Sequence, residues 1–183
     1  MKPAVLPQRD ELVERCKNGD TRAYRELYER FARAMFNTCL RIVNNVTEAE
    51  DILQESFTEA FRQLNSYQYR TSFGGWLKQI CVNRSINQLK KRRISWVPLG
   101  ESAPDNADSP DTAGEEDIVF QAAKIREAIM LLPDGYRTVL SLYLLEGYDH
   151  EEIAEILEIS ESTSRTQYMR AKQKLLQLIK QEL

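Results

Sequence analysis

The residues of this sequence best suited to chemistry are carboxylates, an amide and a hydroxyl spaced three and four positions apart. On a helix this spacing places them on one face. Paired carboxylates can carry out general acid–base chemistry, but this face should be solvated and no histidine lies beside it as a metal ligand. A surface that docks a partner protein is the better prediction, and a plain solvated helix face is the alternative. The residues are Asp51, Gln54, Glu55, Thr58 and Glu59.

Cysteine and histidine usage argues against a metal site. The chain has one histidine, and its three cysteines, Cys16, Cys39 and Cys81, are far apart and lack CxxC spacing. A zinc site is therefore not expected, and we predict no metal, no cofactor and no catalytic residue. The thiols should be small buried side chains in a reducing compartment.

Charge is sorted along the chain into a basic block and an acidic block. Residues 68–100 contain no Asp or Glu, whereas residues 101–117 contain no Lys or Arg. Cations bind phosphates without regard to sequence, and aromatic rings can stack on unpaired bases. We therefore predict contact with nucleic acid, with Tyr67 and Phe73 placed to meet an unstacked base and Trp76 in the core. A solvated helix face beside an ordinary core is the alternative.

Two short helical segments near the C-terminus have the pattern of a helix–turn–helix. Asp149 caps the first helix, and Ala154 supplies its small residue. Ile159 fills the turn, and Ser160 caps the second helix, which can enter a major groove. We predict DNA binding by this second helix, and a helical hairpin with a basic outer face is the alternative. His150 is expected at the surface, with no role.

The elements that position these groups should all be helical. Apolar residues recur at spacings of three and four, and no window shows sustained alternation, so no sheet is expected. A Thr47–Glu50 capping box should begin the third helix, and Gly74-Gly75 should break the chain before the fourth. Outside the helix–turn–helix, we predict helices over 10–18, 20–43, 47–64, 76–93, 118–132 and 136–146.

The acidic block divides the chain. Residues 98–117 hold three prolines, two glycines and almost nothing that could be buried, which is typical of a linker. We predict an all-α protein with two small helical domains, 1–96 and 118–183, joined by a flexible acidic linker over 97–117. No signal peptide or membrane-spanning run is visible, so a cytoplasmic protein is expected.

Three segments of the chain match one family in register. AEDILQESFTEAF, FGGWLKQICVNRSINQLKKRR and GYDHEEIAEILEISESTSRTQYMRAKQKLL together resemble a bacterial group IV, or extracytoplasmic-function (ECF), sigma factor. Such a factor is the initiation subunit that gives RNA polymerase its promoter specificity. The resemblance covers nearly the whole chain and implies sigma domain 2 before the linker and sigma domain 4 after it.

The resemblance implies roles for residues of the first domain. Asp51, Gln54 and Glu55 match the D-x-x-Q-E signature, whose helix docks on the clamp helices of the polymerase largest subunit. The loop over 67–75 and the face of the next helix match the part that recognises and melts the −10 element. The family often has Asp where Asn87 stands. The −10 residues are Tyr67, Phe73, Asn83, Arg84, Asn87, Lys90, Lys91 and Arg92.

The helix from Ser160 matches the reader of the −35 element. The family commonly has V-x-x-R/K-L-x-R-A-R where this chain has TSRTQYMRAKQ. Phosphate-binding charge is kept, but Gln167 and Tyr168 leave the exact −35 preference open. The −35 residues are Ser162, Thr163, Ser164, Arg165, Thr166, Gln167, Tyr168, Arg170 and Lys172.

The implied partners are core RNA polymerase and promoter DNA, with no small-molecule substrate. The family is usually restrained by an anti-sigma factor, although the chain shows no dedicated site for one. A helix–turn–helix regulator with a helical sensor is one rival, but a basic helix and an aromatic loop stand where its sensor pocket should be. A nucleic-acid enzyme is disfavoured because metal-binding carboxylates are not clustered and no catalytic histidine is found.

Overall fold

The computed structural model describes residues 10–92 and 115–181, with side chains from 122 to 180 in the second range. All regular secondary structure in these ranges is helical, which confirms the predicted fold class. The chain divides into two compact units, 1–92 and 93–183. The linker predicted over 97–117 lies outside the described residues, apart from 115–117, which already belong to a helix.

The described part of the N-terminal unit holds four α-helices and one 3-10 turn. They are α1 (Glu11–Lys17), α2 (Thr21–Val43), α3 (Val46–Arg62), the 3-10 turn (Leu64–Ser66) and α4 (Phe73–Lys91).

Side-chain caps fix where α1 and α2 begin, as the sequence predicts. Asp10 accepts a hydrogen bond from the amide of Leu12, and Asp20 accepts from the amides of Arg22 and Ala23. Each cap satisfies a backbone donor that has no partner within its helix, a contribution of about 1 kcal/mol.

The predicted capping box at Thr47 is wrong, because α3 begins earlier. Asn44 adopts a left-handed conformation (φ 51°) that ends α2, and its amide donates to the carbonyl of Leu40. Asn45 follows at once as the cap of α3 and accepts from the amide of Glu48 at 3.0 Å. Two asparagines thus connect the helices, because asparagine both tolerates the left-handed region and caps well.

The glycine pair does not break the chain, because α4 begins at Phe73 instead of Trp76. Ser72 caps the helix, and its hydroxyl accepts from the amide of Gly75 at 3.1 Å. A β-carbon on Gly74 would lie 2.7 Å from Cε1 of Phe31. Gly74 therefore serves the close approach of α4 to α2.

The core of the N-terminal unit lies where α2 packs against both α3 and α4. The three cysteines are buried, as predicted, and none of them is in a disulfide. Buried apolar side chains recur every three or four residues along each helix, so burial of these stripes supplies the main stabilisation. They include Leu27, Met35 and Ile42 of α2, Ile52, Leu53 and Phe57 of α3, and Leu77, Ile86 and Leu89 of α4.

The C-terminal unit is built from α5 (Glu115–Met130), α6 (Asp134–Leu144), α7 (His150–Leu157) and α8 (Glu161–Gln181) in its described part. Its core cluster is formed by Ile129, Leu132, Leu140 and Ala171.

A buried arginine holds the corner between α5 and α6. Arg137 is 1% exposed, and its Nη1 donates to the carbonyl of Leu132 at 2.8 Å while Nη2 pairs with Asp134. Pro133 stands at the cap position, so α6 begins at Asp134, two residues before the predicted start. This buried cation was not predicted from the sequence.

The helix–turn–helix forms with the predicted caps. Asp149 and Glu152 make a reciprocal capping box at the start of α7. Glu158 turns the chain in a left-handed conformation (φ 58°), and the hydroxyl of Ser160 accepts from the amide of Thr163 at 3.1 Å. The N-terminus of α8 is thereby fixed relative to α7.

Candidate nucleic-acid and polymerase interfaces

The predicted docking residues lie on one exposed face of α3. Asp51, Gln54, Glu55 and Thr58 are exposed, and Glu59 is half-buried. The apolar face of α3 is turned toward α2 and α4, so the polar stripe is left to solvent, as the helical spacing predicts. Their role in docking remains a prediction.

A groove of about 750 Å³ runs between α3 and α4. It brings carboxylates of the docking stripe together with amides and cations that were assigned to the −10 element. Two predicted surfaces are therefore the two walls of one groove. Its lining includes Asp51, Glu55, Glu59, Asn83, Arg84, Asn87 and Lys91.

Arg84, predicted to contact the −10 element, pairs with carboxylates inside this groove. Its Nε donates to Glu59 at 2.8 Å, and its Nη1 pairs with Glu55. The side chain leans across the groove because two carboxylates of α3 face it. Arg84 therefore links α4 to α3.

Arg92, also predicted to contact the −10 element, makes contacts within the N-terminal unit. Its Nη1 donates to the carbonyl of Val43 at 2.9 Å, where α2 ends, and its Nη2 pairs with Glu48 of α3. A cation is favoured at the C-terminus of a helix, where carbonyls lack partners. Of the other cations predicted to contact DNA on α4, Lys91 is exposed and Lys90 is half-buried.

The predicted placement of Tyr67 and Phe73 beside an unpaired base is wrong. Phe73 is 2% exposed, because it begins α4 and its ring packs 5.5 Å from that of Phe31. Tyr67 is 7% exposed and donates its hydroxyl hydrogen to the carbonyl of Thr71, and burial raises its pKa. Trp76, assigned to the core, is only half-buried and stacks on Tyr67 with ring centroids 4.9 Å apart.

A second pocket, of about 500 Å³, lies beside this stacked pair. An aromatic wall, amides and a guanidinium meet there, and Gln68, Arg70 and Gln79 are exposed. These amides were not predicted from the sequence, in which their position around the aromatic run was the only signal. The pocket is lined by Gln63, Ser66, Tyr67, Gln68, Arg70, Thr71, Trp76 and Gln79.

The first turns of α8 divide the predicted −35 residues between two faces. Ser164 and Gln167 are buried, so their predicted exposure to bases is wrong. They continue to buried Ala171 at spacings of three and four, which makes this the inward face of α8. The outward face carries Ser162, Arg165, Thr166 and Lys172, while Thr163, Tyr168 and Arg170 are half-buried.

The outward face contains one residue that the sequence analysis missed. Met169 is 54% exposed and follows Arg165 and Thr166 at helical spacing. An exposed apolar side chain among hydroxyls and cations suits contact with a thymine methyl group. Arg165 pairs with Glu161 one turn earlier; both side chains are exposed, so this pair contributes little to stability.

His150 has a structural role that was not predicted. Its Nδ1 lies 2.9 Å from the hydroxyl oxygen of Ser164, and its ring stacks on Tyr143 with centroids 4.5 Å apart. Tyr143 also packs against Tyr168, whose pKa is raised mainly by burial. His150 therefore helps to fasten α7 to α8, and burial, assisted by the nearby Arg165 charge, lowers its pKa.

Neither a metal cluster nor a membrane span is found in the described ranges. Across 10–92 and 115–181, no group of three or more His, Cys, Asp or Glu side chains is placed to hold a metal ion. No helix of these ranges is both long enough and apolar enough to cross a membrane.

Comparison with known proteins accounts for both units. The Sigma-70 region 2 family model matches residues 27–94, and the Sigma-70, region 4 model matches residues 122–175. The RNA polymerase sigma-H factor of Pseudomonas aeruginosa is 30% identical, across 91% of this chain and 91% of the relative. The ECF RNA polymerase sigma factor SigW of Bacillus subtilis is also 30% identical, across 89% of this chain and 92% of SigW. The chain belongs to the ECF family of RNA polymerase sigma factors.

Solved structures show the same fold for this ECF sigma factor. CnrH in complex with the cytosolic domain of CnrY matches with a TM-score of 0.55 and 21% identity, covering 94% of this chain and 97% of that chain. RpoE in complex with the anti-sigma factor NepR, from Bartonella quintana, matches with a TM-score of 0.55 and 19% identity, over 87% and 98% of the two chains.

The pKa of His150 should lie below its ordinary value of about 6.5. Since the folded unit favours the neutral ring, the unfolded chain binds this proton more tightly. The resulting stabilisation is fully present above about pH 6.5 and is lost as the pH falls toward the folded pKa. Because the chain has one histidine, NMR titration of the imidazole measures this directly.

The matched control is His150→Gln, which keeps a hydrogen-bonding side chain but does not titrate. Its urea unfolding should depend less on pH between 5.5 and 7.5 than that of the unchanged chain. A folded-state midpoint at or above 6.5 would contradict the packing described for α7 and α8.

Proposed function

We propose that this ECF sigma factor docks on core RNA polymerase through α3, captures unpaired −10 DNA beside α4 and reads the −35 element with α8. The observation that carries the proposal is the groove between α3 and α4. It joins the exposed docking stripe to the amides and cations predicted to contact DNA. Polymerase docking and strand capture would thus share one rigid pair of helices.

Docking rests on the exposed carboxylates and amide of α3. Asp51 and Gln54 extend into solvent from a helix whose opposite face is buried, so their positions are fixed by the core. A stripe of this chemistry complements a basic and amide-rich partner surface, which favours encounter and sets register. The match of the D-x-x-Q-E signature supports the clamp helices as that surface.

Base capture moves from the predicted aromatic loop to the pocket beside Trp76. The half-buried ring of Trp76, which stacks on Tyr67, offers a surface on which a base can stack. Gln68 and Gln79 offer amides to the edge of that base. Unstacking a base costs a few kcal/mol, and stacking on an aromatic ring returns about 1–3 kcal/mol. Capture can therefore favour strand opening without covalent chemistry, so we propose a non-enzymatic role.

Upstream duplex binding rests on the outward face of α8. Arg165 and Thr166 stand in its first turns, where they could reach base edges, and Lys172 lies farther along for phosphate contact. Gln167 is removed from the base-reading set because it is buried. Met169 is added to that set as an apolar contact.

The partners follow from the same surfaces. We place the protein in the cytoplasm, with core polymerase and promoter DNA. In the two solved structures described above, CnrH is in complex with the cytosolic domain of CnrY, and RpoE is in complex with the anti-sigma factor NepR. We propose that an anti-sigma factor also binds and restrains this chain.

Asp51→Lys should weaken binding to core polymerase by about tenfold or more, because it reverses a charge at the exposed N-terminal end of the docking stripe. Binding of the full chain to purified core is measured by surface plasmon resonance, and helicity by circular dichroism. The matched control is Glu29→Lys, which makes the same charge change on α2, outside the groove, and breaks only a surface pair with Arg25. Equal binding by the two variants would exclude the assigned docking face.

Arg165→Ala should relax preference at one −35 position at a cost of about 1–3 kcal/mol if the guanidinium reads a base. Lys172→Ala should weaken all sequences alike. Gln167→Ala should lower the stability of the C-terminal unit and leave preference unchanged, because that side chain is buried. Holoenzyme transcription across a set of −35 variants provides the measurement. A changed preference in folded Gln167→Ala, with none in Arg165→Ala, would reverse these assignments.

A further inference from the structure

The loop that forms one wall of the base-capture pocket contains a residue with unusual backbone geometry. Tyr69 has φ 57°, in the left-handed region. A residue with a side chain is disfavoured there by roughly tenfold. Tyr67, Gln68, Arg70 and Thr71 all line the pocket, whereas Tyr69 between them does not. The left-handed turn thus directs one ring away from the pocket and its neighbours toward it.

The ring of Tyr69 is held by α1. Its hydroxyl donates to Oε1 of Glu14, and Nζ of Lys17 lies 4.5 Å from the ring centroid. The same ammonium donates to the carbonyl of Tyr67 at 3.1 Å. Glu14 and Lys17 are one helical turn apart, with 3.9 Å between Nζ and Oε1, so a single face of α1 holds the loop at two points.

This face of α1 has its own support. Val13 and Cys16, which directly precede Glu14 and Lys17 and so lie on the adjoining side of the helix, are buried, and α1 packs against α2. Lys17 binds the backbone carbonyl of Tyr67, and Trp76 stacks on the ring of the same residue. The contacts of α1 therefore reach the stacking surface through one residue.

We propose that Glu14 and Lys17 are positioning residues for base capture: they hold Tyr69 in its left-handed conformation and so keep the pocket preformed. This inference rests on the function proposed above. Neither residue lines the pocket. Without them the loop populates other backbone states, and the apparent affinity for an unpaired base is multiplied by the fraction of loops that remain in the binding-competent conformation.

The first measurement concerns the loop alone. Arg70 is an exposed trypsin site within it. Cleavage after Arg70 in the free full-length chain, followed by mass spectrometry, should rise about tenfold in Glu14→Ala and in Lys17→Met. Glu14→Gln, which keeps the acceptor, and Lys17→Arg, which keeps the cation and donor, should restore protection. Cleavage at Arg25 within α2 reports global unfolding and should not change.

The second measurement concerns capture by holoenzyme. A fork promoter carries 2-aminopurine in its unpaired −10 strand, and the fluorescence change on binding reports capture. Glu14→Ala and Lys17→Met should weaken this capture about tenfold, while the conservative variants restore it. Because glycine adopts the left-handed conformation freely, Glu14→Ala should have no further effect in a Tyr69→Gly chain. A merely structural role for Glu14 would not show that dependence.

The outcomes separate the two proposals. Trp76→Ala tests the pocket itself: if it leaves capture unchanged, the pocket is wrong and the positioning role fails with it, whatever the cleavage result. If Trp76→Ala weakens capture but Glu14→Ala and Lys17→Met do not, the pocket stands and the positioning role is overturned. Unchanged cleavage after Arg70 in both α1 variants also overturns it.

Discussion

Burial of the apolar faces of α2, α3 and α4 against one another decides which side chains of the N-terminal unit reach solvent. Ile52 and Phe57 turn one side of α3 inward, so the acidic stripe with Asp51 and Glu55 must face out. Leu77 and Leu89 likewise turn one side of α4 inward, which leaves the amide side chains of α4 at the groove. The proposed interfaces follow from this packing, since a helix rotated by one residue would bury different groups.

Electrostatic pairing separates the cations of the basic block, residues 68–100, into two groups with different roles. Arg84 and Arg92 face carboxylates and a helix end within the N-terminal unit, so they hold α4 against its neighbours. Arg70, at the pocket, and Lys91, on the groove, are exposed for contact with a phosphate. A run of cations thus stabilises the helical framework and, in the proposed function, attracts nucleic acid to it.

Much of this architecture could be predicted from periodicity and capping. The caps at Asp10, Asp20, Asp149 and Ser160, and the outward face of α3, were predicted because local spacing fixes them. The start of α4 was missed although Ser72 is a local cap, because the glycine pair was taken for a break, whereas Gly74 serves a contact with Phe31, which lies far away in the sequence.

The errors at the site share a physical cause: residue type alone does not determine burial. Tyr67 and Phe73 look suited to stacking on bases, but their rings complete a local aromatic core. Ser164 and Gln167 look suited to reading bases, but they occupy the inward face of α8. His150 appeared isolated in the sequence, and only the packing of α7 on α8 brings Ser164 to its ring.

The central claim is that the chain confers promoter specificity only in company with core polymerase. Run-off transcription and DNA binding are measured on a promoter library with the chain alone, core alone, and both combined. The account predicts sequence-selective binding and initiation by the combination, with neither component selective by itself. Equally selective binding of the library by the chain alone, or initiation by core that does not depend on the chain, would contradict it.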